Sequence, residues 1–243
     1  MERVFVFDAY GTLFNLEPMR PRLEALWPGY GSIIMQLWRL KQLEYSWLRT
    51  LMGEPFVDFW TVTKQSLQFA LSSAGILLSQ PDIEKVASEY NRLELFPEVR
   101  AALQTLPARC AILSNGSQSM LDALIANADI GGELDKVISV DAARAFKPHP
   151  RCYALVQTAL HVEPKNVVFI SSNGFDVSGA KRFGFTTVWL NRNPPEDAIA
   201  PVDPSQLYRL MRTQPEQLDA SPDYTCASLE YLIDPRVRRA LGV

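Results

Sequence analysis

Short apolar runs alternate with helical patterns over most of the chain. Val4-Phe5-Val6-Phe7, Cys110-Ala111-Ile112-Leu113, Val137-Ile138-Ser139-Val140, Val167-Val168-Phe169-Ile170 and residues 186–190 each read as a strand buried on both faces. Between them, Val99 to Leu106, then Met120, Leu121, Leu124 and Ile125, then Tyr153, Val156, Ala159 and Leu160, recur at helical steps. A further helix over 176–183 ends at Gly184. Strands alternating with helices at these lengths predict an α/β fold: a doubly wound, mainly parallel sheet covered on both sides.

Residues 15–95 interrupt that alternation and contain no evident strand. Pro28-Gly29-Tyr30-Gly31 breaks a short first segment, and Ser32 is placed to cap a helix carrying Ile33, Leu37, Leu40, Leu43, Trp47 and Leu51. Gly53 and Pro55 stop it. A second helix is expected from Phe56 to Ala74, and a third opens at Pro81-Asp82 with Ile83, Val86, Ala87, Tyr90 and Leu93 inward. The expected organisation is a core of residues 1–14 and 96–243 with a helical insert at 15–95. In the proline-rich tail, residues 207–211 suggest a short helix, 224–226 a short strand, and 229–241 a helix interrupted by Pro235.

A chain of 243 residues, 47% hydrophobic, can bury one sizeable core and a smaller inserted unit. Its 24 basic and 27 acidic residues give a formal charge of −3 with no basic block, which argues against a nucleic-acid partner. No apolar run approaches bilayer length, and Met1-Glu2-Arg3 does not begin like a signal peptide. Cys110, Cys152 and Cys226 are odd in number and far apart, so a disulfide framework is not expected and a reducing cytoplasm is. Of two histidines, His149 is wedged between prolines and His161 follows a helix pattern. With no HExxH, GxSxG or GxxxxGK[ST] either, the chemistry falls to carboxylate, amine and amide groups.

Four polar clusters stand at predicted strand ends: Asp8 to Thr12, Ser114-Asn115, Lys147, and Ser171 to Asp176. Strands of a parallel sheet share one carboxyl edge, where such clusters converge. Asp8 there can act as a covalent nucleophile, or simply cap a turn. Gly11 permits a tight turn whose N–H groups point at an anion. Lys147, biased by Pro148 toward an extended backbone, would stay charged among carboxylates and orient them. Asp176 opens a predicted helix, so an N-cap role stands beside a chemical one.

Together, Asp8-Ala9-Tyr10-Gly11-Thr12-Leu13, Leu113-Ser114-Asn115-Gly116, Phe146-Lys147-Pro148 and Ser171-Ser172-Asn173-Gly174-Phe175-Asp176 resemble the four motifs of the haloacid dehalogenase superfamily. Trp38-Arg39-Leu40-Lys41-Gln42-Leu43-Glu44-Tyr45 is similar to the cap segment of its L-2-haloacid dehalogenases. The resemblance implies a doubly wound core with a helical cap, homodimeric members and hydrolytic dehalogenation of small L-2-haloalkanoic acids to D-2-hydroxy acids with inversion; no cofactor is expected. It makes Asp8 the nucleophile, with Thr12 and Ser171 holding its carboxylate and Lys147 neutralising it. Asn173 and Asp176 would position and polarise the hydrolytic water, and Tyr153 would support them from behind. The same comparison places Arg39, Asn115 and Phe175 around the halide. Ser114 and the N–H groups around Ala9, Tyr10 and Asn115 would meet the substrate carboxylate. Tyr10, Leu40, Leu43, Phe59 and Phe175 would form the apolar pocket, although helical spacing also suits the cap residues to bundle packing. Leu40 stands where a polar residue is expected, which bears on substrate size.

Two rival functions remain in view. Superfamily phosphatases carry an aspartate two residues after the nucleophile and a second acid in the last motif that holds magnesium. Here those positions are Tyr10 and Ser172. A halide leaves without a proton, so dehalogenation does not need the missing acid, and a hydroxyl is a poor ligand for magnesium. The other rival is a non-catalytic interaction module whose contacts are Trp27, Trp38, Trp47 and Trp60.

Overall fold

The computed structural model describes residues 3–192 and 211–242. Its six-stranded sheet has the order β3-β2-β1-β4-β5-β6. The strands are β1 (Val4–Phe7), β2 (Arg109–Ser114), β3 (Lys136–Ser139), β4 (Val167–Ser171), β5 (Thr186–Leu190) and β6 (Tyr224–Cys226), every pairing parallel. β1 is central: Val4 pairs with Arg109 on one side and Val167 on the other. All four of its residues are buried, as an uninterrupted apolar run requires in a sheet covered on both faces. The chain winds outward from β1 to β2 and β3, then crosses back to β4. The topological switch therefore lies at the carboxyl end of β1, where a doubly wound sheet opens a crevice.

The core helices are α5 (Val99–Thr105), α6 (Gln118–Ala128), α7 (Pro150–Leu160), α8 (Gly174–Phe183), α9 (Glu230–Ile233) and α10 (Pro235–Leu241). The split between the last two falls at Pro235 as expected, with Asp234 accepting from the Arg236 N–H at 2.7 Å. β3 ends at Ser139 rather than 140, because its hydroxyl accepts the Asp141 N–H and starts a 3-10 turn. The helix expected over 207–211 lies, but for Met211, outside the described residues.

Between β1 and β2 stand α1 (Met19–Leu26), α2 (Gly31–Met52), α3 (Phe59–Ser73) and α4 (Gln80–Ala87), the last continuing as a 3-10 turn over Ser88–Arg92. Three starts differ from the sequence reading, each set by a side chain that takes an orphan N–H. Ser32 does not cap α2. The Glu24 carboxylate accepts from the Gly31 N–H at 2.9 Å, and a Cβ at Gly31 would lie 2.3 Å from the Glu24 nitrogen. α3 starts at Phe59 instead of Phe56 because Asp58 accepts from the Thr61 N–H at 2.8 Å, a cap worth about 1 kcal/mol. α4 starts at Gln80 under Ser79. Among the described residues no helix is long and apolar enough to cross a membrane.

Candidate active site

β1 delivers Asp8 into a loop that closes on itself. The Asp8 N–H continues the sheet to the Ile170 carbonyl at 2.9 Å. Gly11 then takes φ +78°, the left-handed conformation that glycine tolerates best. The N–H groups of this turn are expected to face an anion; those of Gly11 and Thr12 instead reach the carbonyls of Phe14 (2.8 Å) and Ala9 (3.2 Å). Those two N–H groups are thus engaged within the turn, and an anion here would use other donors.

The Asp8 carboxylate is 5% exposed, with its two oxygens held differently. Oδ2 accepts from Asn173 Nδ2 (2.7 Å), Thr12 Oγ1 (3.1 Å) and, more weakly, Ser171 Oγ (3.4 Å). Oδ1 meets the Lys147 ammonium at 2.9 Å. The same ammonium donates to Asp176 Oδ2 (2.6 Å) and the Leu113 carbonyl (2.9 Å), which uses its three protons. Asp8 is thus no mere turn cap. Burial alone would lower the lysine's pKa, but the Asp176 and Asp8 carboxylates outweigh it and hold the ammonium above its usual range. Removing one member of a buried ionic group costs about 3–5 kcal/mol, so these three stand or fall together.

Asp176 lies in the first turn of α8, but the cap of that helix is Asn173, and Asp176 caps nothing. Its Oδ1 accepts the Tyr153 hydroxyl at 2.9 Å. Burial raises the carboxyl to about 6, against the pull of Lys147 and with Asp8 adding to the rise. Tyr153 is itself raised, by burial first and by Asp176 second, and so remains a proton donor. Its ring sits in a cluster with Phe169, Phe183 and Phe185, while its hydroxyl faces Asp176.

Asn173 was expected to address water, yet its amide donates to Asp8 and to the Tyr10 carbonyl (3.2 Å). Asn115 faces the 147 loop, its Oδ1 accepting the Lys147 N–H at 2.8 Å. Ser114 is buried and accepts from the Gly116 N–H. The Ser172 hydroxyl donates to the Gly11 carbonyl (2.5 Å) and receives Arg212 Nη2. Among the described residues no three His, Cys, Asp or Glu side chains gather as a metal site requires.

From α2, Arg39 reaches inward at 3% exposure and donates to Gln42 Oε1 at 2.5 Å; Gln42 in turn donates to Thr63 at 2.7 Å. The Arg39 charge acts on Tyr10, whose hydroxyl is buried without a partner and is strongly raised by that burial. Tyr10 packs 6.0 Å from Phe59 and 5.8 Å from Tyr90, so Tyr10 and Phe59 meet as expected. Leu43 is buried and Leu40 partly so, both on α2. Phe175 faces Trp47 at 5.2 Å, edge on. Trp38 is wholly buried against Tyr90 and bonded to the Thr63 carbonyl, which removes it from any partner surface.

Four participants escaped the sequence reading. Gln42 was signalled only by its i+3 spacing from Arg39, and Phe146, 5.9 Å from Phe59, only by its place beside Lys147. Arg192, which donates to the Thr12 carbonyl, and Arg212 carried no signal. A hollow of about 630 Å³ between α1 and α4, lined by Leu23, Trp27, Leu78 and Val86, holds none of these groups.

Comparison with known proteins gives the same picture. A family model described as haloacid dehalogenase-like hydrolase matches residues 2–184. The (S)-2-haloacid dehalogenase of Xanthobacter autotrophicus is 44% identical over 249 aligned residues, covering 100% of this chain and 97% of that protein. Haloacetate dehalogenase H-2 of Moraxella sp. (strain B) is 42% identical, covering 76% and 84%. The solved L-2-haloacid dehalogenase from Xanthobacter autotrophicus superposes with a TM-score of 0.93 at 43% identity, over 99% of each chain. A structure of that enzyme with chloropropionic acid covalently bound superposes at 0.91, covering 98% of this chain and 99% of that one.

Proposed function

The chain belongs to the haloacid dehalogenase-like hydrolases and is a hydrolytic (S)-2-haloacid dehalogenase working through a covalent aspartyl intermediate; we propose that Asp8 Oδ1 is the attacking atom. The observation that carries this is the unequal holding of the two Asp8 oxygens, three donors on Oδ2 against one ammonium on Oδ1. An oxygen wrapped in three donors is a poor nucleophile and a good place for negative charge to accumulate.

In the first step Oδ1 gives a lone pair to the carbon bearing the halogen, from the face opposite the leaving group. The carbon–halogen bond breaks with its electrons, and configuration inverts. Arg39, Asn115 and the ring edge of Phe175 receive the halide. In the second step water adds to the Asp8 carboxyl carbon and yields its proton to Asp176. Charge moves onto Oδ2, where Asn173, Thr12 and Ser171 already point. The bond from that carbon to Oδ1 then breaks, Asp176 returns the proton to Oδ1, which leaves as the hydroxyl of a D-2-hydroxy acid, and the remaining proton of the water-derived oxygen passes to solvent as the Asp8 carboxylate re-forms. Asp176 keeps a second lone pair on each oxygen for this work, with Lys147 and Tyr153 fixing its orientation. Ser114 and the N–H groups of Ala9, Tyr10 and Asn115 hold the substrate carboxylate. Tyr10, Leu40, Leu43, Phe59 and Phe175 enclose its short chain.

Magnesium has no role in this scheme. Asp8 Oδ2 and the Tyr10 carbonyl, oxygens a cation would claim, are spanned by the Asn173 amide, and Ser172 stands beside a guanidinium. Residues 15–95 act as a cap on a core of 1–14 and 96–243. We further infer a homodimer working in a reducing cytoplasm, which suits the three unpaired thiols Cys110, Cys152 and Cys226. Chloride release from separate 2-chloropropionate enantiomers tests the reading. Release from the S enantiomer with D-lactate as product is expected. Magnesium-dependent phosphomonoester hydrolysis without chloride release would overturn it.

A further inference from the structure

We propose that Arg212 is a positioning residue that fixes the proton of Thr12 on Asp8, an inference that rests on Asp8 being the nucleophile. Arg212 lies beyond the residues 2–184 matched by the family model. Its Nη2 donates to Ser172 Oγ at 2.5 Å and to the Ser172 carbonyl at 3.3 Å. The guanidinium lies over Gly11: a Cβ there would stand 3.0 Å from the same Nη2. A few residues on, Glu216 lies against Gly174 in the same manner, at 2.9 Å from a Cβ placed there. Residues 212–216 therefore strap the turn that carries Ser172 and Asn173. Arg182 to the Leu218 carbonyl and Lys181 to Asp223 tie the strap to α8.

The consequence lies in where the hydroxyl protons go. Ser172 Oγ has one proton, given to the Gly11 carbonyl at 2.5 Å, and receives a donor from Arg212. Thr12 Oγ1 receives the Ser172 N–H at 2.9 Å, so its own proton is left for Asp8 Oδ2 at 3.1 Å. Yet Thr12 and Ser172 hydroxyls are only 3.2 Å apart, and either can donate to the other. Without the guanidinium, Ser172 Oγ becomes an acceptor in want of a proton, and Thr12 can turn away from Asp8 to supply it. With the guanidinium in place one of the two Ser172 lone pairs is taken and a positive charge stands beside it, which disfavours that alternative. Oδ2 keeps its Thr12 donor, which matters most when charge reaches it during ester hydrolysis. Arg212 thus acts on the second step rather than on halide departure.

The test is halide release by rapid quench, with mass spectrometry of the enzyme, on wild type, Arg212→Ala, Ser172→Ala and the double variant. Arg212→Ala should keep the first-turnover burst of halide, slow steady-state turnover about tenfold, the share of one charge-assisted hydrogen bond, and accumulate the ester-modified enzyme. Methylguanidine should restore turnover. Adding Ser172→Ala to Arg212→Ala should cost little more, since both act through one hydroxyl. Should Arg212→Ala fail to fold, Arg212→Lys replaces it, with ester accumulation smaller but still present. An unchanged steady-state rate, equal slowing of burst and turnover, or singles whose effects multiply would each overturn the role of Arg212. Absence of any ester on the wild-type enzyme would instead overturn Asp8 as nucleophile.

Discussion

Replacing Tyr153 by Phe removes one oxygen and little else. The ring keeps its contacts with Phe169, Phe183 and Phe185 at centroid distances of 5.9, 5.9 and 6.1 Å. The lost hydroxyl bonds the ionised Asp176 Oδ1 at 2.9 Å and stabilises only the charged form of that acid. A hydrogen bond to a buried charge is worth about 1.5–3 kcal/mol. At about 1.36 kcal/mol per unit, its loss raises the Asp176 pKa by about 1–2 units. The sign follows directly: fewer donors to the carboxylate favour the protonated acid. Asp176 begins at about 6, so the acid limb of the rate profile, where the base takes up a proton and turnover falls, should move up to about 7–8. The assay is kcat for chloride release from (S)-2-chloropropionate between pH 5 and 9.5, with a thermal melt at each end. Turnover at the alkaline end should stay within a few-fold of wild type. An acid limb that stays in place, with folded protein, would refute the placement of Asp176 as base of the rate-limiting hydrolysis.

Other substitutions and additions separate the remaining roles. Arg39→Lys keeps a charge on α2 but loses the planar fork held by Gln42, and should lower kcat about a hundredfold with a smaller change in KM, the signature of a group used at the transition state. Steady-state kinetics with chloro and bromo substrates reads it; a change confined to KM would make Arg39 a ground-state anchor only. Exhaustive chelation should leave turnover unchanged, because the Asn173 amide already spans the oxygens a cation would use. Loss on chelation, restored by magnesium, would contradict that.

The sheet and the four clusters on its carboxyl edge were legible because each uses a signal confined to a few adjacent residues. A strand buried on both faces must be continuously apolar, so the change to Asp8, Ser114 and Ser171 marks where it meets the crevice. Helix starts were displaced because a cap is one side-chain hydrogen bond. Asp58 stands three residues before Thr61 and was readable as a cap, whereas Glu24 reaches Gly31 from another helix and was not. Within the site, Lys147 is expected at a strand end but stands in the loop before α7, eight residues past the end of β3, and the division of labour between Oδ1 and Oδ2 depends on tenths of an ångström. Arg192 and Arg212 lie far along the chain from the loop they hold, and no periodicity connects them to it.

The covalent role of Asp8 Oδ1 is tested most directly by a single turnover in heavy-oxygen water. Excess enzyme converts (S)-2-chloropropionate, and both lactate and the peptide containing Asp8 are weighed. Water adds to the Asp8 carboxyl carbon and Oδ1 leaves with the product, so the lactate hydroxyl should be unlabelled and Asp8 should carry one heavy oxygen. Labelled lactate with an unlabelled Asp8 would mean that water attacks the substrate carbon itself, contradicting the ester.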